Sequence, residues 1–223
     1  MHTYIELKDI EAMEQNALCL RDKLLIRLLF RLGCRISEIL AIKLSDIDSE
    51  KGTITIQHLK TRLRIVCNKC RTSLARKHQF CPQCGEEVSE IKERLQECRR
   101  IRVLPIDGSS LELIKNYLEN MTSKPDTDIR LFKLNRHRAW QIVRECAQRA
   151  GIGPLLNPET GKIRGVSPHR LRDAFSVHAM KMDDSGDSLR LLQEHLGHAS
   201  FNTTARYRKI AGEEHREWYN KLW

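Results

Sequence analysis

In the stretch Leu196-Gly197-His198-Ala199-Ser200-Phe201-Asn202-Thr203-Thr204-Ala205-Arg206-Tyr207, a histidine follows a glycine, and a tyrosine comes at the far end. Glycine is a good helix stop, so Gly197 closes a helix over about 187–196, and a short helix beginning near Asn202 carries Tyr207. Upstream lies Pro168-His169-Arg170-Leu171-Arg172-Asp173. Ser167-Pro168 supplies an N-cap and a first-turn proline, which starts a helix running to about Met182. His169 and Arg172 are three apart, a spacing that predicts one shared face at a helix start, where phosphate is favoured. Further out, Arg35 follows the helix stop Gly33 in Gly33-Cys34-Arg35-Ile36-Ser37-Glu38-Ile39-Leu40.

Two arginines, two histidines and a tyrosine make a kit for phosphodiester chemistry. Arginine forks match phosphate oxygens, and the transition state of phosphoryl transfer spreads negative charge over them. Tyrosine serves as a covalent nucleophile once its proton is accepted, and a leaving deoxyribose oxygen needs a general acid. The sequence offers no carboxylate cluster of a metal-dependent nuclease, so covalent chemistry without a cofactor fits it better. Each residue alone is weak. Arg35 has Glu38 at i+3 to pair with, and Tyr207 could belong to the core beside Ala205 and Ile210.

The remaining pattern gives an α+β fold that is mostly α. Residues 9–32 read as one helix, with Leu20, Leu24, Leu25, Leu28, Leu29 and Leu32 as its apolar stripe. A short helix follows Arg35. Thr53-Ile54-Thr55-Ile56 is β-branched strand material, and 101–106, IRVLPI, is its expected partner in a small antiparallel sheet. Helices are expected over 110–120 and after the cap Asn135, the second stopped by Gly151. The Gly- and Pro-rich 151–168 reads as a loop or hairpin, and the tail EEHREWYNKLW as a final amphipathic helix. With 223 residues, 40% of them hydrophobic, a sizeable core is feasible. No apolar run is long enough to span a membrane, and the start MHTYIELKDIEAMEQ is neither signal nor transit peptide. With 39 Lys+Arg against 29 Asp+Glu the net charge is +10, which makes a polyanion the first partner to consider.

Four of the eight cysteines form two CxxC pairs, Cys67-Asn68-Lys69-Cys70 and Cys81-Pro82-Gln83-Cys84, the second followed by Gly85. A CxxC turn aims two sulfurs at one point, and tetrahedral zinc takes four thiolates, so the reading is a structural Zn2+ ribbon inserted at 67–98. Disulfides or a redox pair are the competing explanations, weakened by the absence of a secretory signal and of a βαβ context. Cys19, Cys34, Cys98 and Cys146 are expected as buried apolar thiols. Lys69, Arg71, Arg76 and Lys77 make the 67–84 stretch basic, which suits either a DNA-contacting finger or a metal-stapled insertion with a solvated face. Arg62, Arg64, Arg99, Arg100, Arg102, Arg136 and Arg138 are expected on DNA backbone or on a solvated face.

These boxes resemble the catalytic domain of the tyrosine recombinases, the phage integrase family. Arg35-Ile36-Ser37-Glu38-Ile39-Leu40 is similar to the family's first-arginine box, Pro168 to Arg172 to its His-x-x-Arg box, and Leu196 to Tyr207 to its final box. The resemblance implies a site-specific recombinase or integrase acting on double-stranded DNA through a 3′-phosphotyrosyl intermediate, with no cofactor for catalysis. By the same resemblance Tyr207 is the nucleophile, Arg35 and Arg172 clamp the phosphate, His198 hydrogen-bonds it and His169 accepts the tyrosine proton. Lys60, after the strand TITIQHL, is the implied general acid. Asp173 stands where the family commonly has histidine, and tuning rather than loss of activity is expected there.

The implied organisation is a discontinuous catalytic domain, 1–66 and 99–223, around the 67–98 ribbon. The family's N-terminal DNA-clamping domain is expected to be absent. Trp218, Tyr219, Leu222 and Trp223 suit exchange of the C-terminal tail between subunits assembled on DNA, and the implied location is cytoplasmic, nucleoid-associated. Two alternatives remain open: a type IB topoisomerase-like relaxing activity, and a catalytically silent DNA-binding accessory protein.

Overall fold

In the computed structural model, the described residues are 3–57, 62–67, 69–75, 78–87, 93–96, 101–120, 129–156, 161–183, 185–198 and 200–210. They fall into two compact units: one draws on residues up to Gln57 and from Arg102 onward, and the other spans His58–Ile101.

The first unit opens with α1 (Leu7–Gln15) and α2 (Leu20–Arg31), so the single helix expected over 9–32 is two. The break is local chemistry. Asn16 caps α1, turning its side-chain amide back to donate to the Ala12 carbonyl at 2.9 Å, and Cys19 in an extended conformation starts α2. Cys19 is exposed, not buried as expected, because it sits on that connection. In α2, Leu24, Leu25, Ile26, Leu28 and Leu29 are all 0% exposed, so this helix is the axis of the main core, while Leu20 at its tip is 37% exposed. Gly33 follows at φ 54, and a Cβ there would lie 2.3 Å from Phe175 Cδ1. The turn therefore demands glycine for its backbone conformation and for the space beneath it.

Arg35 starts α3 (Ile36–Ile39), and a short 3-10 helix, Leu44–Asp46, leads into the strands. β1 (Ile47–Asp48) pairs antiparallel with β2 (Thr53–Gln57), with Ile47 opposite Ile54. In β2, Ile54 and Ile56 are buried while Thr53 and Thr55 are half-buried, the period-two alternation of a sheet with one face on the core.

The second unit holds β3 (Arg62–Val66), β4 (Ser73–Leu74) and β5 (Glu93–Gln96) in the order β4-β3-β5, antiparallel throughout. Among the described residues its buried apolar cluster is Cys67, Leu74 and Cys81, with Cys84 against them. A unit confined to His58–Ile101 is small to rest on an apolar core alone.

The chain returns to the first unit through β6 (Ile101–Pro105), which lies beside β2 as IRVLPI was expected to. Asp107 then caps α4 (Gly108–Glu119), accepting from the Ser110 backbone N–H at 3.0 Å. Asn135 caps α5 (Arg136–Arg149) in the same way. The Gly/Pro-rich segment contains a small hairpin, β7 (Leu155–Leu156) against β8 (Ile163–Arg164).

Three helices complete the described chain: α6 (Pro168–Met182), α7 (Gly186–Leu196) and α8 (Phe201–Ile210). Val177 and Met180 of α6, Leu189, Leu192 and Leu196 of α7 and Tyr207 of α8 bury one another in a second core cluster. The architecture is mostly helical with a small antiparallel sheet. Among the described residues no helix is long and apolar enough to cross a membrane.

Candidate active site and metal centre

Four elements bring the quoted motifs together in the first unit. Arg172, on α6, is 1% exposed despite its charge. It donates through Nη1 to the Gly33 carbonyl at 2.7 Å and through Nη2 to the Leu196 carbonyl at 2.8 Å. Nη2 also lies 2.9 Å from His198 Nε2. One guanidinium thus ties the end of α2 to the end of α7, using carbonyls that helix termini leave without an intrahelical partner. Burial, and then repulsion from Arg35, pull its pKa below the usual guanidinium value.

His198 sits just past Gly197, whose left-handed φ of 66 turns the chain out of α7. A guanidinium has no acceptor, so Nε2 must accept from Arg172 and Nδ1 carries the ring proton. That proton faces Thr204 Oγ1 at 2.9 Å, and Thr204 is 0% exposed. Burial first, then the charges of Arg172, Arg35 and Arg102, push His198 from 6.5 down to about 4, so the ring is neutral.

Arg35 is the N-cap residue of α3 and is 30% exposed. Its Nη1 donates to Glu38 Oε1 at 2.9 Å, and its backbone N–H donates to Glu38 Oε2 at 2.9 Å. Glu38, only 1% exposed, also accepts from Arg102 Nη2 at 2.9 Å, and Arg102 Nη1 donates to the His195 carbonyl. Arg102, 10% exposed, is therefore neither on a solvated face nor free for DNA backbone. It braces β6 against α3 and α7, and its guanidinium lies 3.1 Å from where a Gly197 Cβ would stand. A charged residue within an apolar strand was the only sequence signal for this role. Arg138 is engaged as well, pairing with Glu145 at 2.9 Å.

Tyr207 is 4% exposed, its ring stacked at 17° to His198 with centroids 6.4 Å apart. Its hydroxyl donates to Asp173 Oδ1 at 2.9 Å. Burial, together with the Asp173 charge and hydrogen bond, raises the phenol to about 12. His169, expected on a common face with Arg172, is 74% exposed, whereas Arg172 is buried. Three residues of helix leave an angular offset, and the first turn of α6 puts that offset across the solvent boundary. His169 Nε2 stands 4.0 Å from Asp173 Oδ1. The structure thus brings Arg35, His198 and Tyr207 within electrostatic reach of Arg172 and leaves His169 at the rim. Lys60 and residues 211–223 lie outside the described residues, as do Cys98, Arg99 and Arg100.

In the second unit, Cys67, Cys70, Cys81 and Cys84 bring their sulfurs within 4.8 Å of one another. Cys67 and Cys84 Sγ are 3.6 Å apart, and Cys70 and Cys81 Sγ 3.5 Å. Thiolates ~2.3 Å from a tetrahedral zinc ion stand just under ~4 Å apart, so this donor set fits the metal. The turns are built alike: Arg71 N–H donates to the Cys67 carbonyl and Gly85 N–H to the Cys81 carbonyl, each at 2.9 Å. Both Arg71 (φ 60) and Gly85 (φ 70) are left-handed, a conformation natural to the glycine and strained for the arginine. Cys34 and Cys146 are buried thiols, and burial, mainly, pushes Cys34 up to about 12, which leaves it unreactive.

The model of the phage integrase family matches residues 6–79 and 84–214. The chain is 28% identical over 207 residues to the tyrosine recombinase XerA of Pyrococcus furiosus, a match covering 89% of this chain and 53% of that protein. Its fold is similar to a crystal structure of XerA recombinase, with TM-score 0.65 and 20% identity, covering 100% of this chain and 64% of the other. It is also similar to the XerH site-specific recombinase bound to palindromic difH substrate in a post-cleavage complex, with TM-score 0.58 and 21% identity over 97% of this chain and 52% of that one. The chain spans about half the length of such relatives, 53% in the Pyrococcus furiosus case.

Proposed function

The chain belongs to the phage integrase family, and on that premise we propose that it is a site-specific tyrosine recombinase that breaks and rejoins double-stranded DNA. The observation that carries the reading is the Arg172 node, where one buried guanidinium touches both helix ends and His198 beside Tyr207. The Tyr207 oxygen attacks the scissile phosphorus, the bond to the 5′ oxygen breaks, and a 3′-phosphotyrosyl link forms. Lys60 protonates the leaving 5′ oxygen. Arg35, the more exposed of the two arginines, and Arg172 hold the non-bridging oxygens. His198 adds a hydrogen bond to the same phosphate. His169 takes up the proton that Tyr207 loses. A 5′-hydroxyl from a partner strand reverses the steps, so the bond energy is conserved without a cofactor.

Zinc on Cys67, Cys70, Cys81 and Cys84 belongs to the same proposal as a structural ion within the 67–98 insertion. So do self-association on DNA through the C-terminal tail and a cytoplasmic, nucleoid-associated location. The test is a nicked suicide duplex chosen by selection from randomised DNA. Wild type is expected to leave a covalent adduct that denaturant does not remove, and Tyr207→Phe none. An adduct surviving in the Phe variant overturns the nucleophile assignment. No adduct from wild type on its selected site overturns the enzyme reading in favour of a silent DNA-binding protein.

A further inference from the structure

Tyr207's hydroxyl makes its hydrogen bond to a carboxylate, not to a histidine. Asp173 Oδ1 accepts from it at 2.9 Å, and the same oxygen is 4.0 Å from His169 Nε2. Oδ2 faces Arg170 Nη1 at 3.4 Å. Asp173 is 19% exposed, Arg170 18%, and His169, beyond them, 74%. A line therefore runs from a buried phenol, through a carboxylate at the edge, to an imidazole in solvent. It opens on a cleft of about 520 Å³ that Asp173, His169 and Arg170 line together with Arg144, Arg164 and Arg206.

We infer that Asp173 is a catalytic residue of this chain, the immediate acceptor of the Tyr207 proton, passing it to His169. The inference rests on the recombinase reading and deepens it. As the Tyr207 oxygen bonds to phosphorus, its O–H bond breaks and the proton moves to Asp173 Oδ1. The resulting carboxylic acid gives a proton to His169 Nε2, and the exposed imidazolium releases it to water. The P–O bond to the 5′ oxygen breaks in the same displacement, its electron pair leaving with that oxygen, which takes its proton from Lys60. Electrons and protons balance without any further reactant.

Transfer has to accompany attack. With Tyr207 raised to about 12, the free phenolate is inaccessible near neutral pH, and only bond formation to phosphorus makes the oxygen acidic enough for a carboxylate. Basic side chains stand around Asp173: Arg170 and His169 on α6, Arg206 on α8, and Arg144 and Arg164 across the cleft. Arg170 would also stabilise the carboxylate when the proton departs.

The experiment compares wild type, Asp173→Asn and Asp173→His on the nicked suicide duplex, reading the single-turnover rate of adduct formation against pH, with DNA affinity and melting temperature measured alongside. Asparagine keeps the shape and loses the base. Its rate is expected to fall by about 10²-fold or more at unchanged DNA affinity. Histidine restores a base, so its rate should recover while the acidic limb of the pH profile moves up toward ~6.5. An Asn variant as fast as wild type overturns the inference, and a faster one would make Asp173 a latch that restrains Tyr207. Should the Asn variant not fold, the His variant decides alone: an acidic limb that stays where wild type has it refutes proton acceptance at this position. A wild type that forms no adduct defeats the recombinase reading itself, an outcome distinct from any difference among the variants.

Discussion

Arg172 commits three of its five N–H donors to the protein itself. A buried guanidinium satisfied by two helix-end carbonyls and a histidine fixes the spacing of α2, α6 and α7 before any phosphate arrives. Arg172→Ala is therefore expected to lower stability as well as activity, by about 1–3 kcal/mol for each orphaned carbonyl, less the relief of removing a buried charge. Denaturant unfolding measures this, and a variant as stable as wild type would assign the residue to catalysis alone. His198 yields a pH prediction. Its folded value, about 4, lies below the ordinary 6.5, so in that window the unfolded chain binds the extra proton. Its contribution to stability is present above 6.5 and is lost as pH falls toward about 4, and His195, also lowered by burial, acts in the same direction. Asp107 and similar carboxylates give up theirs only below 3.8. The unfolding midpoint should drop between about pH 7 and about pH 5, and His198→Gln should shrink that drop.

At the scale of elements, two glycines hold left-handed turns for different reasons. Gly33→Ala would force a left-handed alanine and drive its Cβ into the Phe175 ring, 2.3 Å from Cδ1. The expected cost is about 2–4 kcal/mol from backbone strain and overpacking, read as a fall in melting temperature. Gly85→Ala meets no neighbour within 4 Å, so only its φ of 70 is penalised. It should weaken zinc retention by about 1–2 kcal/mol, measured by chelator competition, and leave the helical unit untouched. Removing zinc with a chelator should likewise unfold the second unit alone, because among the described residues its buried apolar cluster is Cys67, Leu74 and Cys81, two of them zinc ligands in this reading. Protection of the helices from hydrogen exchange would stay as it was.

For the whole molecule, the +10 charge predicts DNA affinity that falls steeply with salt, by about 0.9 in log–log slope for each phosphate neutralised. Part of the formal charge is already committed inside the fold: Arg102, Arg172 and Arg27 are held by Glu38, helix-end carbonyls and Glu14. The slope should therefore fall well short of what a count of arginines suggests, and Arg102→Ala should leave it unchanged while lowering stability. An Arg102 variant with a shallower slope would show that this side chain meets DNA after all.

Helix and strand positions were legible in the sequence because their signals are local: glycine stops, Asn and Ser caps, a leucine stripe at helical spacing, and β-branched residues in TITI. So was the cysteine set, since CxxC spacing itself aims two sulfurs at one point. The break at Asn16–Cys19 was missed because Ile10, Met13, Leu20 and Leu24 keep helical period across it, and a capping side chain carries no hydrophobic signal. Residue chemistry and order along the chain also named the set Arg35, Arg172, His198 and Tyr207. What only the tertiary structure decided is which groups those side chains meet: Arg102 on Glu38, Thr204 behind His198, and Asp173, not His169, at the hydroxyl of Tyr207. Glu38 and Arg102 lie 64 residues apart and Asp173 and Tyr207 34, and even the six residues from His198 to Thr204 cross the turn out of α7; these contacts follow from how the elements pack, a property of three-dimensional burial that no local pattern encodes.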